Sequence, residues 1–304
     1  MVLTRREMLG TMAAACTAAL MPGLGRAQTA PLTKPIPSSG EDIPIVGLGS
    51  WITFNVGDDD VARDARTEIM RAFFEDGGRM IDSSPMYGSA QPVIGHALEK
   101  LGYPNQLFSA DKVWTSEPGD GPAQIEESRA HWGVDNFDLL QVHNLLAWQE
   151  HLDMLFAMKD AGKLRYVGIT TSHGRRHPEF EQIMQKHDLD FVQATYNMAD
   201  RDVEERILPL AKEKGIAVIA NRPFRRKELI YRFEGKDLPA WASEIDADSW
   251  AQFLLKFVIS HPAITCAIPA TTRVDHVREN LASASGPLPD ARLRKRMADY
   301  IETV

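Results

Sequence analysis

Between Ile45 and Ala284 short apolar runs alternate with stretches of helical periodicity, eight of each, and no other feature of the chain restricts its fold as much. The runs begin near Ile45, Met80, Leu107, Asp138, Tyr166, Phe191, Ala217 and Thr265, mostly roughly 25 to 35 residues apart. Helical patterns cover Val61–Glu75, Gln91–Leu101, Pro122–Trp132, Glu150–Ala161, Pro178–Lys186, Val203–Lys214, Ser249–Ser260 and Val274–Ala284. In the first of these, Ala65, Ile69, Ala72 and Phe73 fall on one stripe while Arg63, Asp64, Arg66 and Glu68 lie elsewhere, and Gly77 and Gly78 end the pattern. Strand, crossover helix and parallel strand repeated eight times close naturally into an α/β single-domain (β/α)8 TIM barrel. The rival is a doubly wound open sheet. Against it, no GxGxxG follows the first strand, and polar residues gather after several strands rather than at one switch point.

At 304 residues and 44% hydrophobic, the chain can bury one large core. Ahead of the first barrel strand, Leu32 to Gly49 holds two short extended segments around Ser38, Ser39 and Gly40, which predicts a hairpin. A C-terminal helix completes the fold. The longest connection, Arg225 to Asp248, is rich in charge and aromatic residues and is expected to be a loop over the face where the strands end. The formal charge is -8 with both signs interspersed, so nothing offers a stripe to a phosphate backbone and no nucleic-acid partner is expected. Nor is a metal site.

In a barrel every strand end points to one face, where chemistry is done. Asp82 and Tyr87 in the stretch Met-Ile-Asp-Ser-Ser-Pro-Met-Tyr-Gly (Met80–Gly88), Lys112 in FSADKVW and His143 in LLQVHN each follow or close a short apolar run. Together they suit proton donation to a developing alkoxide. An ammonium beside a phenol favours the phenolate, a carboxylate holds the ammonium, and an imidazole donates to the carbonyl oxygen. That reading predicts a Tyr87 phenol made more acidic by Lys112. Each residue also has a plain structural role open to it: Asp82 as a turn cap, Lys112 paired with Asp111, Tyr87 as packing, His143 as a satisfied barrel histidine. Trp51, Phe54 and Trp114 follow strands one and three and either wall an apolar substrate pocket or belong to the core.

These motifs resemble those of the aldo-keto reductases, across essentially the whole chain after its first residues. GLGSW at Gly47–Trp51 is similar to that family's opening GLGTW, and Met80–Gly88, FSADKVW and LLQVHN are similar to the segments with its catalytic Asp, Tyr, Lys and His. The resemblance implies Asp82, Tyr87, Lys112 and His143 as the catalytic tetrad. GKLRYVGIT and FVQATYN resemble the family's nicotinamide-amide segments, which implies Thr170, Thr171 and Gln193 as ligands, with threonines where Ser and Asn are usual. VIANRPF places Asn221 where many relatives have a stacking tyrosine. IPATTRVDHVREN resembles the adenosine and 2'-phosphate segment; Ala270 replaces its lysine, leaving Thr271, Thr272, Arg273, His276 and Asn280 as candidate ligands. Hydroxyls at a helix start with one arginine make a phosphate site. A helix start capped by Thr271 or Thr272 explains the same residues. The implied cofactor is a nicotinamide dinucleotide, NADP(H) in preference to NAD(H), and the implied partner is a small-molecule aldehyde or ketone.

The first residues are of another kind. Arg5 and Arg6 precede an apolar, alanine-rich run to Leu24, then Gly25, Arg26 and Ala27, the pattern of a twin-arginine export signal. Residues 1–27 are read as that signal, removed after Ala27, and 28–304 as the barrel. The run continues past Cys16, unlike a lipoprotein signal, and no other stretch has the ~20 apolar residues of a membrane span, so no anchor is expected. Twin-arginine export machinery is then a partner and the periplasm, or an equivalent exported location, the destination. That leaves Cys266 as the lone thiol of the mature chain, among apolar neighbours that suggest a buried, inert group. Export also motivates a rival from another class: a dinucleotide- or small-molecule-binding barrel without turnover.

Overall fold

The computed structural model describes residues 30–303. The proposed export signal lies outside them. Strands β1 (Thr33–Pro35) and β2 (Asp42–Pro44) form the antiparallel hairpin, turned at Gly40, whose φ is +76°. Eight parallel strands follow in unbroken order: β3 (Leu48–Gly49), β4 (Met80–Asp82), β5 (Phe108–Val113), β6 (Leu139–Val142), β7 (Tyr166–Thr170), β8 (Phe191–Thr195), β9 (Ala217–Asn221) and β10 (Cys266–Ala267). A parallel bridge from Val46 to Ala267, with Gly47 N–H donating to Ala267 O at 2.8 Å and Gly49 N–H to Pro269 O at 3.1 Å, joins the first strand to the last. The sheet curls round on itself. At this seam a Cβ on Gly49 would stand 2.8 Å from Ile268 O, which is why a glycine is needed there.

Helices α1 (Asp60–Glu75), α2 (Ala90–Leu101), α3 (Gly121–Trp132), α4 (Trp148–Asp160), α5 (His177–Lys186) and α6 (Ile207–Lys214) are the crossovers between successive strands from β3 to β9. The long connection from β9 to β10 carries α7 (Glu228–Arg232) and α8 (Trp250–Ile259), and α9 (Val274–Ala282) and α10 (Ala291–Thr303) follow the last strand. The stretch Arg225–Asp248 is therefore not a plain loop. It holds α7 and a 3-10 turn over Ala240–Ile245, because its aromatics have somewhere to pack: Phe233 stacks on Trp250 at 4.1 Å and Trp241 lies against Phe253 at 5.3 Å. Only its beginning reaches the strand-end face.

The strand period of two sorts the side chains. Ile81, Leu140, Val167, Val192 and Val218 point outward into the main core under the helices. Met80, Phe108, Leu139, Tyr166, Phe191 and Ala217 point inward at the strand starts, where they pack with Ile36 and Ile43 of the hairpin. The hairpin thus plugs the lower end of the sheet, and Lys34 fixes it by donating to the carbonyls of Ile259, His261 and Ile264 at 2.9, 2.9 and 2.6 Å. Two or four residues further along, the same inward rule presents Asp82, Lys112, Gln141, Thr170, Gln193 and Asn221 at the opposite end. Cys266 is buried at the seam, and burial pushes its thiol up to about 12.

Helices α2 and α3 meet at Gly95, where an added Cβ would fall 1.8 Å from His131 O. Backbone cannot give way as a side-chain tip does. Gly95→Ala should destabilise the protein by about 1–3 kcal/mol or more, despite alanine's better helix propensity. Urea unfolding checks this, and an unchanged midpoint would contradict it.

Candidate active site

Asp82 ends β4 and Lys112 lies near the end of β5, so their inward side chains meet: Lys112 Nζ is 2.6 Å from Asp82 Oδ1, and both are buried. The ammonium also donates to Ser83 O at 2.6 Å. The other carboxylate oxygen accepts from Gln193 Nε2 at 2.9 Å and Gln141 Nε2 at 3.3 Å, so the carboxylate has a donor on each side. Past β4 a short 3-10 turn, Pro85–Tyr87, capped by Ser84 Oγ accepting from Met86 N–H at 3.2 Å, carries Tyr87 back over this pair. Lys112 Nζ lies 5.2 Å from the Tyr87 ring centre. The His143 ring, just after β6, meets the Tyr87 ring edge-on at 5.6 Å. The four residues form one cluster.

Burial governs their acidity. It pulls the Lys112 ammonium down, but Asp82 and then Tyr87 more than offset it, and the net direction is up: this lysine stays charged. Burial first, and the Lys112 charge second, hold the His143 imidazole well below its ordinary value, so it is neutral at pH 7. Ser84 Oγ lies 2.7 Å from His143 Nδ1. With the serine proton given to Nδ1, the neutral ring carries its own proton on Nε2, the arrangement of an N–H donor. The Tyr87 phenol departs from expectation. Lys112 does lower it, but burial acts more strongly and Asp82 adds to burial, so it is pushed up to about 12. The phenol is a protonated group at any ordinary pH.

Asp82, Tyr87 and His143 line a cavity of about 460 Å³ that runs along the strand ends. Thr170, Thr171, Gln193 and Asn221 border it, as do Trp51 and, at the far side, Thr272. Asn221 Nδ2 donates to Thr171 O at 3.1 Å and to Gln193 Oε1 at 3.3 Å, tying β7, β8 and β9 together at the cavity floor. The Thr171 hydroxyl is engaged with Arg175 O at 2.6 Å, and Thr170 Oγ1 accepts from Asn144 N–H at 2.9 Å. Other candidates lie elsewhere. Phe54 is fully buried in the main core, and Trp114 borders a separate groove beside Gln91 and Ser128. Thr271 is buried and accepts from Arg273 N–H at 3.2 Å, Asn280 is buried on α9, and His276 is exposed. Arg273 is exposed and ion-paired to Asp275. Among the described residues no group of three or more His, Cys, Asp or Glu is arranged to hold a metal, and no helix is long and apolar enough to cross a membrane.

Residues 45–296 match the model of the aldo/keto reductase family. The chain belongs to that family. Methylglyoxal reductase YeaE of Escherichia coli is 29% identical over 86% of this chain and 92% of its own length. The NADH-specific methylglyoxal reductase of Escherichia coli is 25% identical over 88% of this chain and 99% of its own. Among solved structures, an aldo-keto reductase from Klebsiella pneumoniae in complex with NADPH superposes with a TM-score of 0.74, at 23% identity over 89% of this chain and 95% of that one. At that identity the likeness speaks for the fold.

This aldo/keto reductase is thereby a nicotinamide-dependent oxidoreductase, and its cavity suits the cofactor. The strand-end amides of Gln193 and Asn221 line it, bonded to each other and to Asp82 and Thr171, and a guanidinium nitrogen, Arg222 Nε, is buried at its edge with no hydrogen-bond partner among the described residues. The reductase also uses residues that sequence reasoning passed over. Ser84, two positions after Asp82 and just ahead of Pro85, orients His143. Gln141, two positions before His143 and so on the same inner face, donates to Asp82. Period two along LLQVHN is the signal that would have found it.

Proposed function

We propose that this aldo/keto reductase transfers hydride between a nicotinamide dinucleotide and an aldehyde or ketone, with Tyr87 as general acid in reduction and general base in the reverse direction. The observation that carries the reading is the cluster of Tyr87, His143 and the Lys112–Asp82 pair at one end of a cavity that continues past Gln193 and Asn221. The bound dinucleotide supplies the hydride. His143 donates its N–H to the substrate oxygen and fixes it near Tyr87. As the carbonyl carbon becomes a carbinol carbon, the oxygen gains basicity and takes the Tyr87 proton, leaving a phenolate beside the Lys112 ammonium. Here the pair matters most: a phenol pushed up to about 12 gives up its proton only because a fixed cation stabilises the product anion. Asp82, Gln141 and Gln193 hold that cation in place. The apolar side is set by Trp51, so aldehydes and ketones with an apolar portion are the substrate class, and methylglyoxal, named for two relatives, belongs in the test panel. Reduction of that panel with either dinucleotide tests the reading, and no turnover would leave a binding barrel in its place.

The phosphorylated cofactor is proposed as the preferred one. Thr272 borders the cavity and Arg273 is the next residue, ion-paired among the described residues to a neighbouring exposed Asp275 that a phosphate can replace. Arg273→Ala should weaken NADPH about tenfold or more and leave NADH unaffected. Equal dissociation constants of the wild type for the two cofactors would contradict this preference; the NADH-specific relative makes the comparison worthwhile.

The same proposal includes export, motivated by Arg5 and Arg6 before the apolar run. Changing both arginines to lysine should leave full-length precursor in the cytoplasm, whereas the native chain should be processed near Ala27 and recovered outside it. Unprocessed native protein found in the cytoplasm would rule export out.

A further inference from the structure

A second hollow lies on the other side of the turn that carries Tyr87. This groove, of about 540 Å³, has the size of a small-ligand site, roughly 300–1,000 Å³, and shares no lining residue with the catalytic cavity. Pro85 and Gly88 flank it from the turn and Leu146 from the connection after β6. The rest of its wall comes from α2, α3 and the residues just after β5.

The groups on that wall narrow what can bind. No lysine or arginine lines the groove, and its one carboxylate, Glu127, is exposed and has no ion-pair or hydrogen-bond partner among the described residues. An anionic ligand would meet that charge with nothing to offset it. An apolar ligand would cover polar groups that have no other partner. Ser128 is 1% exposed and its hydroxyl accepts from Gln91 Nε2 at 2.9 Å, which leaves its own proton to donate. His131 is half-buried, and neither of its ring nitrogens has a hydrogen-bond partner among the described residues. A cationic ligand would use Glu127 and an aromatic face but leave this hydroxyl and imidazole unanswered.

Trp114 supplies the aromatic face. It is 39% exposed where it borders the groove, and Gln124 grips its backbone twice: Oε1 accepts from Trp114 N–H at 2.6 Å and Nε2 donates to Trp114 O at 2.9 Å. The backbone under the indole is thus fixed before a ligand arrives, which leaves only the side chain to be ordered on binding. A neutral sugar ring answers every group on the wall. Its hydroxyls both donate and accept, so they match a carboxylate, a serine hydroxyl and either tautomer of a histidine, while its C–H face packs on an indole.

We propose that the groove beside α2 and α3 is a saccharide-binding site, separate from the catalytic cavity, in which a neutral sugar ring lies on Trp114 and hydrogen-bonds to Glu127, Ser128 and His131. This second site goes beyond the reductase reading and does not depend on it.

The test titrates the full chain, by calorimetry, with trehalose and the methyl glycosides of glucose, galactose, mannose and xylose. None of these has a free carbonyl, so none is a substrate for reduction, and failure of the reductase reading leaves the result untouched. Choline and inorganic phosphate serve as charged probes. The wild type should bind at least one of the glycosides, Trp114→Ala should weaken that binding about tenfold or more, and Trp114→Phe should recover part of it. Glu127→Gln should weaken it as well; because Glu127 is exposed, this variant keeps the test open where Trp114→Ala fails to fold. Saturating NADP+ should leave the affinity unchanged, since the groove and the catalytic cavity have no wall residue in common. A wild type that binds no glycoside overturns the proposal, whether or not choline or phosphate binds in its place. So does glycoside affinity unmoved in both the Trp114 and Glu127 variants, or competition between glycoside and NADP+, which would put the sugar in the catalytic cavity.

Discussion

Replacing Tyr87 with phenylalanine slows hydride transfer by about 10²- to 10⁴-fold, a barrier increase of about 2.7 to 5.4 kcal/mol, while the protein stays folded and binds dinucleotide as before. Only the hydroxyl is removed, and the ring keeps its edge-on contact with His143. Cofactor affinity holds because the amides and cations proposed to grip it lie on β7, β8, β9 and beyond, away from the Pro85–Tyr87 turn. The loss is large for a specific reason. Burial and the Lys112 charge keep His143 neutral, so it holds no extra proton to give in place of the phenol.

Replacing Asp82 with alanine has the other large effect, and it strikes stability and turnover together. Lys112 would stay buried with its charge unopposed, and removing one partner of a buried pair costs about 3–5 kcal/mol. Gln141 and Gln193 would also lose the acceptor between them. Asp82→Asn separates the two consequences: it keeps the shape and one acceptor oxygen but not the charge, so it should fold better than Asp82→Ala while remaining poor in turnover. Denaturant midpoints and single-turnover rates of both variants make the comparison. Wild-type stability in Asp82→Ala would mean that Lys112 is not held as described.

The barrel was legible because its code is short-range: eight apolar runs, eight amphipathic stretches and Gly-rich stops at intervals that a parallel sheet needs. The four clustered residues were legible for the same reason, each lying at or just past the end of a strand. What sequence could not weigh was the competition of opposed forces. Lys112 beside Tyr87 suggested an acidified phenol, yet the sign is set by how much burial outweighs the lysine, and burial is a property of the whole cavity. Phe54 and Trp114 show a second limit. Both follow strand ends as pocket residues do, but Phe54 turns into the core and Trp114 into the groove beside α2 and α3, a choice made by side-chain packing far away in sequence. Arg225–Asp248 shows a third: aromatic residues in a connection look like a lid until their stacking partners, Trp250 and Phe253, are seen on α8.

The central claim is that Tyr87 delivers the proton while hydride reaches the carbonyl carbon from a bound dinucleotide. The direct measurement is single-turnover reduction of a simple aldehyde with reduced cofactor deuterated at the transferred position, run on the wild type and Tyr87→Phe. The account predicts deuterium on the carbinol carbon, and a variant about a hundredfold slower or worse at matched cofactor occupancy. Label transferred at the same rate by both proteins would contradict it.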